Sequence, residues 1–99
     1  MDFIHKKGVV HRDIKLDNIL INKREDGELK VKIADFGMAT FINVPHIFNE
    51  GAGSRLYLKC GTPGYVAPEI LRSEGYDEKC DMFSMGSLLF NLLTGFYLF

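Results

Sequence analysis

Within eight residues, His11-Arg12-Asp13-Ile14-Lys15-Leu16-Asp17-Asn18, the chain carries a carboxylate, a cation and a neutral amide at short, fixed spacing. Phosphoryl transfer asks for those types. A carboxylate orients an attacking hydroxyl and accepts its proton, a cation neutralises the moving phosphoryl group, and an oxygen donor ligates a metal. Asp13, Lys15 and Asn18 are the candidates for these roles.

The order His-Arg-Asp-x-x-x-x-Asn resembles the catalytic loop of eukaryotic protein kinases. Two further motifs follow in the order that family uses: Asp35-Phe36-Gly37, similar to its metal-binding triplet, and Ala67-Pro68-Glu69, similar to the close of its activation segment. Singly, a His-Arg-Asp is more often a solvated turn, and an Asp-Phe-Gly a strand end before a bend. Jointly and in order they point to a kinase-derived sequence. The resemblance implies that Asp13 accepts the proton of a serine or threonine hydroxyl and Lys15 stabilises the transferring phosphate. It implies that Asn18 and Asp35 hold Mg2+, and that Leu20 lines the adenine of ATP, where the alternative for Leu20 is core packing. Cys60-Gly61-Thr62-Pro63-Gly64-Tyr65-Val66 resembles the substrate-docking loop of serine/threonine kinases, with the calcium/calmodulin-dependent group a neighbour, and Thr62 would bridge Asp13 and Lys15. His11 and Phe36 are packing residues by the same resemblance, and Asp81 would hold the backbone of the catalytic loop.

The elements that must position these groups are legible around them. Met1 to Gly8 reads as the end of a helix, with Lys6 and Lys7 at its negative pole and Gly8 at a left-handed stop. Val9 and Val10 form a short strand into the catalytic loop, and Ile19-Leu20-Ile21 another just after it. The charged run from Asn22 to Glu28, with Asp26-Gly27, predicts a hairpin turn. Leu29, Val31 and Ile33 alternate with polar or small residues, which predicts a strand with one face inward. That strand delivers Asp35. Met38 to Val66 resembles an activation segment, with Gly51-Ala52-Gly53-Ser54 its most flexible part. Leu58 occupies the position where many kinases carry a phosphorylated threonine. Ser54 and Tyr57 are the nearby hydroxyls, and Glu50 is a candidate partner for Arg12. Pro68 suits the first turn of a helix through Leu71. Asp77 can cap a helix beginning near Glu78, and Gly95 can end it. Met82 to Phe99 holds no charged residue, but Ser84, Ser87, Asn91 and Thr94 dilute it, so a buried central helix is expected ahead of a membrane span. Without its neighbours such a helix would expose its apolar faces.

A formal net charge of -1 gives no electrostatic argument for nucleic acid or an acidic membrane, and neither partner is expected. The two cysteines, Cys60 and Cys80, fit no metal-ligand spacing and suit free thiols in a reducing compartment. No export signal is visible near Met1, so a cytoplasmic or nuclear location is expected. The expected fold class is α+β: residues 1–99 as part of a protein kinase domain, the larger C-terminal lobe, mainly helical with short β-hairpins. A glycine-rich phosphate loop, a Val-Ala-Ile-Lys-like strand and its paired helix glutamate, which form the smaller ATP-clamping lobe, are absent from these residues. The arginine partner expected for Glu69 would likewise fall beyond Phe99. The functional expectation is transfer of the γ-phosphoryl group of ATP to protein serine or threonine. The alternative is an inactive kinase-lobe fragment acting as a binding or interfering module. The protein substrate and any regulatory partner are not encoded in these motifs.

Overall fold

The structure is a computed structural model, and it describes residues 1–42 and 55–98. The expectations placed on Glu50 and on Gly51 to Ser54 lie outside those residues. The described chain opens with α1 (Asp2–Lys6), whose last turn hands on to Gly8 at φ 77°, where the missing Cβ lets the chain reverse. Next comes β1 (Val9–Val10), which pairs antiparallel with β4 (Thr40–Phe41). A short 3₁₀ turn over Leu16–Asn18 ends the loop that begins at His11 and leads into β2 (Ile19–Lys23). That strand forms an antiparallel hairpin with β3 (Leu29–Ile33), in a register running from Ile19 opposite Ile33 to Lys23 opposite Leu29. Gly27 takes φ 88° in the turn, and Asp26 Oδ1 accepts the Glu28 N–H at 3.0 Å, the local bonding that an Asp-Gly pair favours.

One expectation fails on this hairpin. The alternating Leu29 and Val31 do not face inward: they are 63% and 59% exposed. Only the end nearest the catalytic loop is covered, where Ile19 and Ile33 pack with Ile14, Tyr65 and Leu88. Beyond them the apolar face opens on a cavity of about 320 Å³ whose walls include Leu16, Val31, Leu88 and Leu92. Alternation reports which residues could be buried; a partner surface must still be present to bury them.

α2 (Pro68–Leu71) starts on its proline as expected. α3 (Lys79–Thr94) starts one residue past Glu78, with Asp77 Oδ1 accepting the Lys79 N–H at 3.0 Å, and stops at Gly95 with φ 78°. Its buried residues are Cys80, Asp81, Ser84, Ser87 and Leu88, a single stripe at helical spacing. The helix therefore buries its small and polar face. Ser84 donates to the Tyr65 carbonyl at 2.7 Å, and Ser87 donates to the Gly64 carbonyl. Leu92 and Leu93 face outward, Leu93 at 77% exposure. A central helix buried on all sides is thus not what forms, and the exposed apolar faces are. No described helix is long and apolar enough to cross a membrane.

The upper end of α3 joins a second cluster of Val10, Ile42, Leu56, Ala67, Ile70, Tyr76 and Cys80. Residues from both sides of the undescribed segment meet there. The stretch from His11 to Asp13 links the two clusters, with Val10 in one and Ile14 in the other, and its backbone bonds to Asp81 of α3.

Candidate active site

Asp81 organises the loop. Fully buried near the start of α3, its carboxylate accepts the His11 N–H through Oδ2 and the Arg12 N–H through Oδ1, each at 2.8 Å. His5 of α1 reaches the same Oδ2 through Nε2 at 2.9 Å. A buried carboxylate is costly unless its lone pairs are met, and here donors from two segments meet them. The fork holds Arg12 at φ 71°, a left-handed conformation that a non-glycine residue adopts only when its surroundings impose it.

His11 is fully buried and both of its ring nitrogens are engaged. Nε2–H donates to the Ala34 carbonyl at 2.9 Å, which leaves Nδ1 to accept the Asp13 N–H at 3.1 Å. Phe36 meets the ring edge-on at 4.8 Å between centroids. His11 is therefore a scaffold residue, although Phe36 is more exposed than the interior stack expected of it.

Asp13 is the centre of the polar cluster. Thr62 Oγ1 donates to its Oδ1 at 2.6 Å. Lys15 Nζ lies 3.9 Å from Oδ2, and Asn18 Nδ2 donates to the Asp13 backbone carbonyl at 2.8 Å with a longer reach of 3.4 Å to Oδ2. The Asp13 and Lys15 side chains are mostly shielded, which strengthens their interaction over that of a surface pair. Thr62 was expected to bridge Asp13 and Lys15; in this arrangement the carboxylate is the bridge, with the hydroxyl on one oxygen and the ammonium on the other.

Asp35 follows β3 at φ 54°, and its Oδ1 accepts the Gly37 N–H at 3.1 Å. The Ala34 N–H donates to the Asn18 carbonyl at 2.8 Å, continuing the ladder past Ile19 and Ile33. This brings Asn18 and Asp35 to the same end of the hairpin. Leu20, one residue along β2, is 54% exposed, so core packing does not account for it. The donor set fits Mg2+. Asn18 spends its amide nitrogen on Asp13, which keeps its oxygen as the ligating end, and Asp35 adds a carboxylate. Among the described residues no group of three or more His, Cys, Asp or Glu forms a cage. A pair of hard oxygens suits an ion that keeps waters and phosphate oxygens in its shell.

Two residues of this region carried no sequence signal. His5 is a single polar residue on a short helix. Tyr76 precedes Asp77 and α3 and is buried, with its hydroxyl donating to the Leu58 carbonyl and accepting from Arg12 Nη1 at 3.3 Å. The only hint was the general need of a buried phenol for a polar partner. Arg12 also donates through Nε to the Met38 carbonyl at 2.7 Å. Cys60 and Cys80 are free, and burial drives the Cys80 thiol far above its ordinary range, so it is unreactive as a nucleophile.

The sequence matches the protein kinase domain family over residues 1–99. It is 43% identical over 96 residues to the probable serine/threonine-protein kinase 2 of Plasmodium falciparum, covering 97% of this chain and 17% of that one. It is 49% identical over 96 residues to the serine/threonine-protein kinase zyg-8 of Caenorhabditis elegans, covering 97% and 11%. It is 44% identical over 104 residues to the CBL-interacting serine/threonine-protein kinase 16 of Arabidopsis thaliana, covering 97% and 20%. The chain thus spans between about a tenth and a fifth of the length of these relatives. With a kinase-type loop held by a buried aspartate, a match along its whole length and serine/threonine-type relatives at this identity, the chain belongs to the protein kinase family.

Proposed function

We propose that residues 1–99 are part of the catalytic domain of a serine/threonine protein kinase, from its larger C-terminal lobe, and that they carry the phosphoryl-transfer centre. The observation behind this reading is the Asp13 carboxylate, held on one oxygen by Thr62 at 2.6 Å and approached on the other by Lys15 at 3.9 Å. Thr62 fixes the carboxylate's orientation, so that Asp13 can align an acceptor hydroxyl and take its proton as the oxygen attacks. Lys15 balances the charge on the equatorial oxygens of the moving group. Asn18 and Asp35 would hold Mg2+, which supplies charge neutralisation between the β- and γ-phosphates of ATP. Leu20, on the exposed face of β2, would lie against the adenine.

The substrate class is protein with a serine or threonine acceptor, with the calcium/calmodulin-dependent group a neighbour within the family. The Lys15 and Thr62 pairing through Asp13 favours serine and threonine over tyrosine. The test is phosphate transfer from ATP to a generic basic protein, followed by phosphoamino-acid identification. Asp13→Asn is expected to lower the rate roughly 10²–10⁴-fold, the usual weight of general-base help. Chelation of Mg2+ is expected to abolish transfer. Phosphotyrosine as the main product would overturn the assignment of acceptor.

A second reading has its own observation. Ile21, Leu29, Val31, Leu92 and Leu93 present exposed apolar surface, and exposed apolar surface on this scale marks association. The chain would then act as a binding or interfering module with no turnover, and transfer that is insensitive to Asp13→Asn would favour it.

A further inference from the structure

Tyr76 is only 2% exposed, yet its hydroxyl sits among three polar groups from two separate segments. Its backbone pairs with Leu56 in both directions, at 2.7 and 2.9 Å, which lays the stretch leading to Leu58 and Cys60 beside it. The hydroxyl then donates to the Leu58 carbonyl, accepts from Arg12 Nη1 at 3.3 Å, and lies 3.8 Å from Cys60 Sγ. A phenol has a single proton to give. Since that proton goes to Leu58, the Arg12 guanidinium donates to the oxygen, and the Cys60 thiol is the donor in its contact. One oxygen therefore joins residues 58 and 60 to the residue immediately before Asp13. Two residues beyond Cys60, Thr62 meets the Asp13 carboxylate.

We infer that Tyr76 is a positioning residue for phosphoryl transfer: its hydroxyl locks Arg12 of the catalytic loop to the Leu58–Cys60 segment and thereby fixes where Thr62 meets Asp13. The catalytic purpose rests on the kinase reading of Asp13, while the lock itself rests on the contacts alone. The Asp81 fork holds the Arg12 backbone at φ 71°, and the Tyr76 hydroxyl adds a restraint on its side chain, so that both ends of the residue beside Asp13 are fixed. Tyr76 contacts no proposed ATP or metal group, so its effect belongs in turnover and not in nucleotide binding.

Tyr76→Phe keeps the ring and removes only the oxygen. In the full chain, amide exchange followed by NMR is expected to quicken about tenfold at Leu56, Arg12 and Asp13, the scale of one lost net hydrogen bond, while β2 and β3 amides keep their rates. Combined with Arg12→Lys, the change should add nothing further at Asp13. Unchanged exchange, a uniform rise that includes the hairpin, or additive effects would each overturn the lock. A measurement on the unaltered chain guards against a variant that fails to fold: the Arg12 Nη1 protons should show restricted rotation, and free rotation would overturn the lock equally. In phosphate transfer, kcat should fall with KM for ATP unchanged, and an unaltered kcat would overturn the positioning role. Absence of transfer by the unaltered protein would instead count against the kinase reading, which the exchange and rotation measurements do not depend on.

Discussion

At the scale of single residues, the site is governed by carboxylates that differ in burial. Asp13 is partly accessible; Asp81 is sealed and serves the backbone. Asp81→Ala would leave the His11 and Arg12 N–H groups buried without an acceptor, a loss of about 2–5 kcal/mol at the usual cost of orphaned donors. Asp81→Asn keeps one acceptor oxygen and should lose less, and urea denaturation of the two variants checks the order. Tyr76 gives the chain a pH dependence at the alkaline end. Burial pushes its phenol from 10.0 up to about 12, against the opposing pull of the Arg12 hydrogen bond. A folded-state pKa raised above the unfolded one means that the folded chain holds this proton more tightly. The contribution is fully present below pH 10 and lost as pH rises toward 12, on the order of 2–3 kcal/mol. Thermal unfolding followed from pH 9 to 12 should show this fall, and Tyr76→Phe should remove that component of it.

Among the elements, two glycines with positive φ separate local turn chemistry from close packing. Gly27 at φ 88° has open space where a Cβ would go, whereas at Gly61, φ 115°, a Cβ would lie 2.8 Å from Val66 Cγ2 and 3.3 Å from the Arg12 carbonyl oxygen. Gly27→Ala should cost about 1 kcal/mol, from backbone strain alone. Gly61→Ala adds overpacking of about 1–3 kcal/mol and presses the docking segment away from the catalytic loop, so it should also slow phosphate transfer. Denaturation and transfer assays on both variants test this split. What the sequence made legible follows the same division. The hairpin, the Pro68 start and the Gly8 and Gly95 stops came from local rules, and each formed as expected. The buried face of α3 did not. The uncharged run from Met82 predicts a buried central helix, but the helix buries Ser84 and Ser87, which donate to the Tyr65 and Gly64 carbonyls, and leaves Leu92 and Leu93 exposed. Likewise, the pairing of Tyr76 with Leu58 and Arg12 joins residues 18 and 64 positions apart, and no local pattern encodes it.

Across the whole molecule, the polar site is well held while the apolar flank beside it stands open. Leu29, Val31, Leu92 and Leu93 are all more than half exposed, and an uncovered surface of this kind drives association. Light scattering should therefore report growth in mass with concentration, and Leu92→Lys with Leu93→Lys should suppress it without disturbing Asp13, Lys15 or Thr62. The same flank lies apart from the proposed phosphoryl-transfer centre, which sits on the loop that Asp81 holds. The role proposed for Asp13 is to accept the proton of the serine or threonine hydroxyl in ATP-dependent phosphorylation. The most direct test is the rate of phosphate transfer by the protein expressed at its full natural length, compared with Asp13→Asn under saturating ATP and Mg2+. A drop of roughly 10²–10⁴-fold in kcat, with the variant still folded and still binding nucleotide, is the expected result. Equal rates in the two proteins would contradict the account.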